Sequence, residues 1–213
     1  MERVSKGEAG EGISSPALIR GRGMKVLEAV GLVLILCLFF GTVVLASDLE
    51  KIQQLNLVYK DFRLGDKLEG AKDLRPLKGA LPGTLRFKNG SLVVAIEEKS
   101  RRILALYDEF PRIAPQELQR LVGELMGLLG EPTFEAHDKI LFWYFSPKGK
   151  ISSETFNRIV EKGEEPKILA IVKLYCDHKI VEFANQKDPK ARAKVYVTFY
   201  SPLLIRKIMQ AWL

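Results

Sequence analysis

The residues best suited to chemistry are two His–Asp pairs, His137-Asp138 and Asp177-His178, with Cys176 beside the second. Imidazole, carboxylate and thiolate together can hold a transition metal, and a Cys176–His178 pair could act as nucleophile and base. Both pairs fall between predicted strands, however, so a metal site would require two hairpin tips to meet. Turn residues that bond their own backbone account for them more simply. Cys176 and His178 share a strand face, but no orienting acid or oxyanion donor accompanies them. Glu97-Glu98 and Glu164-Glu165 are adjacent in sequence, and adjacency alone does not set the carboxylate separation that glycoside hydrolysis needs. No Gly-x-Gly-x-x-Gly, Walker A, Gly-x-Ser-x-Gly or His-Glu-x-x-His motif is present, and Gly79 to Gly83 lacks the glycine order that cradles phosphate. The expectation is a protein without a catalytic group, metal or cofactor. An enzyme with unmarked acidic catalysts ranks behind two binding readings.

The elements that must position any site come from a chain of 213 residues, which fits one domain with a tail or at most two small ones. Its 47% hydrophobic and 28% charged residues are those of a folded chain rather than a disordered one. Two Cys and two His are too few for a zinc module or a disulfide framework.

The N-terminal segment is the most informative. Residues 29 to 46 read AVGLVLILCLFFGTVVLA, eighteen residues without a charge, preceded by Arg20, Arg22 and Lys25. From Met1 a secretory leader would be 46 residues long, against about 15–30 for the usual case; from Met24 it would be 23. Val44 and Ala46 suit a cut before Ser47. The competing reading is an uncleaved anchor, since the apolar run approaches the roughly 20 residues that cross about 30 Å of hydrocarbon, with the basic residues left on the cytoplasmic side. The polar, Gly-rich residues 1–23 then read as an over-long start. Residues 1–23 are thus an N-terminal extension, 24–46 a signal peptide or anchor, and 47–213 an exported domain that is periplasmic, secreted or tethered. Cys37 lies inside the apolar run and reads as packing only. Cys176 is the one cysteine of the exported part, so no internal disulfide forms there, and burial is its expected state.

Beyond residue 46 there are 28 Lys plus Arg against 22 Asp plus Glu, a mild excess without the aromatic interleaving of a nucleic-acid surface. The densest basic groups, around Lys99–Arg102 and Lys187–Lys194, read as solvated hairpin ends. No nucleic-acid partner is expected. Membrane contact is expected through residues 29–46; attraction of the basic groups to anionic head groups or an acidic partner is the alternative to solvated loops, and dispersed charge gives steering more than specificity.

Periodicity then supplies the elements. Residues 48–59 carry apolar side chains at a helical spacing, and Asp66 could cap a helix through Leu68, Ala71 and Leu74 that Pro76 ends. Thr84 to Lys88, Ser91 to Glu98 and Arg101 to Tyr107 predict a three-stranded meander with Asn89-Gly90 as its first turn. Pro115 to Leu129 predicts an amphipathic helix, with Pro115 at its first position, Gly130 at its C-cap and Pro132 preventing continuation. Strands follow at Thr133 to Ala136 and Ile140 to Phe145, then a polar insertion over 150–166 with a helical turn around Glu154 to Glu161. Ile168 to Cys176, Lys179 to Asn185 and Lys194 to Tyr200 predict three more strands. Ser201-Pro202 starts a last helix bearing Leu204, Ile205, Ile208, Met209 and Trp212.

Antiparallel strand runs separated by helices predict an α+β fold, an antiparallel curved sheet with helices on one face. Both halves show a helix, a Gly/Pro turn and a meander, which predicts two diverged helix-plus-meander repeats.

Leu118 to Phe145, LQRLVGELMGLLGEPTFEAHDKILFWYF, resembles the helix, Leu-Gly-x-Pro-Thr turn and aromatic strand of the β-lactamase-inhibitor-protein-like fold. That family includes the small lipoprotein of the bacterial outer-membrane β-barrel assembly machine. Phe62 to Leu68, FRLGDKL, is similar to the start of that family's repeat. The likeness covers some 35 residues. The chain departs from the lipoproteins in lacking a lipidated Cys after its leader, and from the inhibitors in lacking paired cysteines. The resemblance implies a secreted or envelope scaffold that binds another protein through one sheet face, without catalysis.

Alternation along the strands marks that face. Val195, Val197 and Phe199 share one side while Tyr196, Thr198 and Tyr200 share the other, and Lys173 and Tyr175 stand likewise opposite Val172 and Leu174. An aliphatic face must pack the helices, which leaves a face of Tyr, Thr, Lys and Trp for solvent or a partner. Trp143, Tyr175, Tyr196 and Tyr200 are the expected binding anchors of a non-enzymatic, extracytoplasmic protein-interaction or envelope scaffold module. The alternative is a binder of a small apolar or lipidic ligand, recognisable by an apolar pocket between sheet and helices.

Overall fold

The computed structural model of the chain describes residues 48–70 and 74–210. The apolar stretch 29–46, the leader and anchor readings, Cys37, Ala71 and Trp212 lie outside the described residues. Among the described helices, none is long and apolar enough to cross a membrane.

The fold is α+β, with an open, curved antiparallel sheet and helices. Helix α1 occupies 48–54 and leads into a small hairpin, β1 (Val58–Tyr59) and β2 (Phe62–Arg63). The main sheet takes β3 (Arg75–Leu77), β4 (Thr84–Asn89), β5 (Leu92–Glu97) and β6 (Ile103–Ile113) from the first half. Helix α2 (Pro115–Leu129) follows, then β7 (Phe134–Ala136), β8 (Ile140–Ser146), β9 (Gly149–Lys150) and α3 (Ser153–Glu161). Strand β10 (Ala170–Cys176), α4 (Ile180–Ala184), β11 (Ala193–Tyr200) and α5 (Pro202–Gln210) complete the chain. Strand order is β3-β4-β5-β6-β11-β10-β8-β7, with β9 paired to β8. Each half runs from one edge to the centre, and the two halves meet where β6 pairs β11.

Helix α2 has the expected bounds, and its local chemistry shows why. Pro115 sits at the first turn, where no N–H is needed, and Glu117 reaches back to accept the Ala114 N–H at 2.9 Å. Gly130 ends the helix at φ 72°, ψ −169°, a conformation that essentially only glycine adopts. Leu118, Leu121, Leu125 and Leu129 are buried on one stripe and join the inner-face residues of the strands in one core. In α5, Ser201 Oγ accepts the Leu204 N–H at 3.3 Å and donates to the Leu169 carbonyl at 2.7 Å. One hydroxyl therefore starts the helix and pins it to Leu169, the residue just before β10.

Two expected elements differ. Residues 66–70 form no helix: Leu68 N–H bonds the Arg101 carbonyl at 2.9 Å and Ile103 N–H bonds the Asp66 carbonyl at 2.8 Å. Long-range backbone pairing wins there over the local cap of Asp66, whose carboxylate is taken by Arg63 at 2.7 Å. Residues 179–185, expected as a strand, contain the helix α4. Ile180 and Phe183 are both buried, a three-residue spacing that suits a helical turn and not a strand.

Candidate functional site

The sheet has two faces of different composition. On the inner face Leu92, Val94, Leu106, Trp143, Val172, Leu174, Val197 and Phe199 are fully buried beneath the helices. On the outer face the cross-strand registers build rows. Tyr175 lies between Tyr196 on β11 and Ile140 on β8, and Lys173 lies between Thr198 and Phe142. Ile171 lies between Tyr200 and Tyr144, while β6 sets Tyr107 opposite Thr198. These side chains are partly exposed, and the rows put aromatic rings within reach of one another.

Rings stack along and between the rows. Tyr107 and Tyr196 have centroids 5.4 Å apart, Tyr175 and Tyr196 5.9 Å, and Phe142 and Tyr144 5.6 Å. Phe156 of α3 covers one end of this face, 5.2 Å from Tyr144 and 5.9 Å from Phe134. The Lys173 ammonium stands 5.8 Å over the Phe142 ring, and Lys194 stands 5.0 Å over Tyr196. Lys194 also pairs Glu109 at 3.1 Å, and these two neighbours keep its ammonium protonated well above the ordinary lysine range. Burial among the stacked rings, with Glu109 and Tyr196 close by, pushes the Tyr107 phenol up to about 12. Burial likewise raises Tyr144 and Tyr200.

Of the four expected anchors, the structure brings Tyr175 and Tyr196 together and places Tyr200 on the same face two rows away, beyond the Lys173–Thr198 row. Trp143 is a correction. It is fully buried on the inner face, and its indole N–H bonds the Gly130 carbonyl at 2.7 Å. Strand β8 reads Ile-Leu-Phe-Trp-Tyr-Phe, apolar on both faces, so alternation does not reveal its phase. The unsatisfied carbonyl at the end of α2 selects the tryptophan, since a buried indole needs an acceptor. Phe142 and Tyr144 take the outer positions instead. Tyr107, Phe142 and Lys173 join the face without having been among the expected anchors.

The two hairpin tips that a metal site would require to meet do approach each other. Ile180 N–H bonds the Asp138 carbonyl at 2.8 Å, and Lys139 Nζ reaches the Asp177 carbonyl at 2.9 Å. Asp177 Oδ1 instead accepts the Lys194 N–H at 2.9 Å, with His178 Nδ1 at 2.8 Å, so it fixes a turn. Among the described residues, no three His, Cys, Asp or Glu gather closely enough to hold a metal. Cys176 is buried as expected, and burial raises its thiol.

A second constellation lies on the inner face. Asp108, with no exposed surface, receives the Tyr59 hydroxyl at 2.9 Å and the Lys60 ammonium at 2.6 Å, both on Oδ2. Its Oδ1 has no hydrogen-bond partner. The signal was present in β6, where Leu104, Leu106 and Asp108 alternate on one face and an acid interrupts an apolar series. Beside it a cleft of about 740 Å³ opens between the β1–β2 turn, the end of β6 and α2.

No family model matches the chain, and no curated protein or solved structure matches it.

Proposed function

We propose that this protein is a non-enzymatic interaction module that binds a protein partner through the outer face of its sheet. The observation carrying this reading is the aromatic lattice of Tyr107, Tyr175, Tyr196, Tyr200, Phe142 and Tyr144, partly exposed on a face where α3 covers one end. Tyrosine supplies contact area at low entropic cost, and binding surfaces are enriched in it. Lys173 and Lys194 hold cations over the rings and favour a partner with carboxylates between its apolar contacts. The resemblance to sheet-face binders points the same way. An exported location, free or tethered through residues 29–46, belongs to this reading.

Photo-crosslinking tests it. A benzophenone residue at Tyr175 in the full chain, expressed in its native host, yields one discrete adduct. That adduct fades in a Tyr107→Ala, Lys173→Glu background and is absent when the probe sits at exposed Val181. Equal labelling from both positions, or none from Tyr175, refutes sheet-face binding.

A further inference from the structure

We propose that the cleft between the β1–β2 turn, the end of β6 and α2 binds a single-chain apolar anion, an acyl-type tail with a carboxylate or phosphate head. This site is separate from the outer sheet face and does not depend on it. Its walls are Val58 from β1, Phe110 and Ile113 from β6, and Leu121, Leu125 and Leu128 from α2. Leu128 is 57% exposed at the rim, an apolar side chain left in water beside an apolar hollow. The volume of about 740 Å³ lies within the roughly 300–1,000 Å³ of ligand sites.

The lining carries three cations and three carboxylates, and it is the uncommitted donors at the mouth that favour an anionic head. Glu109 pairs Lys194 and Glu124 lies 3.7 Å from Arg120, while Glu117 keeps its charge but is turned back onto the Ala114 N–H at 2.9 Å at the start of α2. Arg112, exposed at the same mouth, has no carboxylate within ion-pair distance among the described residues. Lys60 uses one N–H on Asp108 and a longer contact of 3.3 Å on Ser91, which leaves it a third donor. The cations at the mouth with donors to spare are therefore Arg112, Lys60 and Arg120, the last using only one nitrogen on Glu124 at 3.7 Å. A strand-like ligand fits less well. Beyond Asp108 the edge of β6 runs past its last pair with β5, but it carries Pro111, which offers no N–H to a further strand.

The test is photoaffinity labelling of the full chain with a diazirine-bearing dodecanoate, with adducts mapped by peptide mass spectrometry. Label on peptides covering Val58–Phe62 and Leu121–Leu128, competed by laurate but not by dodecyltrimethylammonium, is the expected result. Competition by lysophosphatidylglycerol as well assigns the source to membrane lipid, and by laurate alone to free acid. Arg112→Gln lowers the labelling about tenfold, and Leu128→Trp, which fills the mouth from an exposed position, abolishes it while circular dichroism is unchanged. Label confined to residues 29–46 or scattered over the surface overturns the proposal. So does equal competition by the cationic amphiphile, or labelling indifferent to both substitutions.

Discussion

The Tyr59 hydroxyl donates to Asp108 at 2.9 Å while its ring stacks on Phe199 at a centroid distance of 4.9 Å. A residue of a two-stranded hairpin near the start of the domain thus reaches across the inner face to the central strands β6 and β11. The neighbouring turn residues Lys60 and Asp61 both have left-handed backbones, at φ 47° and 69°, as a tight two-residue hairpin requires. Neither is glycine, so the turn is strained, and the Lys60–Asp108 contact at 2.6 Å helps hold it.

Removing the hydroxyl tests this link. Tyr59→Phe leaves a buried carboxylate with one donor fewer and is expected to lower stability by about 1.5–3 kcal/mol, read as a shift in urea midpoint at constant slope. Lys60→Met shares the same acceptor, so the double variant departs from additivity. Additive effects, or a neutral Tyr59→Phe, place the compensation of Asp108 elsewhere.

Burial of Trp143 makes a second expectation. Trp143→Phe keeps the ring but leaves the Gly130 carbonyl without its 2.7 Å donor, costing about 1–3 kcal/mol in thermal or denaturant unfolding. The adduct formed from Tyr175 survives it. Tyr196→Ala has the opposite profile, losing the adduct with a smaller stability change, and a Trp143 variant that loses partner capture while remaining folded would contradict the assignment of faces.

Alkaline pH should weaken the domain through the outer face. Burial first, then Glu109 and Tyr196, hold the Tyr107 phenol up to about 12 against an ordinary value of 10. The folded state therefore keeps a proton that the unfolded chain gives up. The stabilisation is complete below pH 10 and is lost as pH rises toward 12. Stability measured across that interval falls less steeply in Tyr107→Phe, whose ring has nothing to ionise; identical slopes for the two proteins would show that Tyr107 titrates normally.

On the acid side the sign reverses for Asp177. Partial burial raises its carboxyl, but the hydrogen bonds from His178 and the Lys194 N–H outweigh burial and hold it below the ordinary range. Its contribution is present above the unfolded value near 4 and is lost as pH falls below that. The side chain is 41% exposed, so the effect is screened to below about 1 kcal/mol. Asp177→Asn should show a stability deficit at pH 6 that shrinks by pH 2, and a constant deficit would assign the loss to geometry instead.

The sequence alone determined the class of fold and most of its elements, because period and punctuation are local. Helix α2 announces itself by a leucine stripe between Pro115 and Gly130, and β10 and β11 by strict alternation that puts Tyr175, Tyr196 and Tyr200 on one face. Where both faces of a strand are apolar, as in β8, local pattern has no phase to offer. Trp143 went inward because the carbonyl that ends α2 waits there, thirteen residues away in sequence. The stretch 66–70 gave up a plausible helix for backbone bonds to Arg101 and Ile103, partners that no window around Asp66 contains. Only the tertiary structure set Tyr59 and Lys60 against Asp108, since a buried carboxylate is decided by what folds over it, and those donors lie 49 and 48 residues upstream.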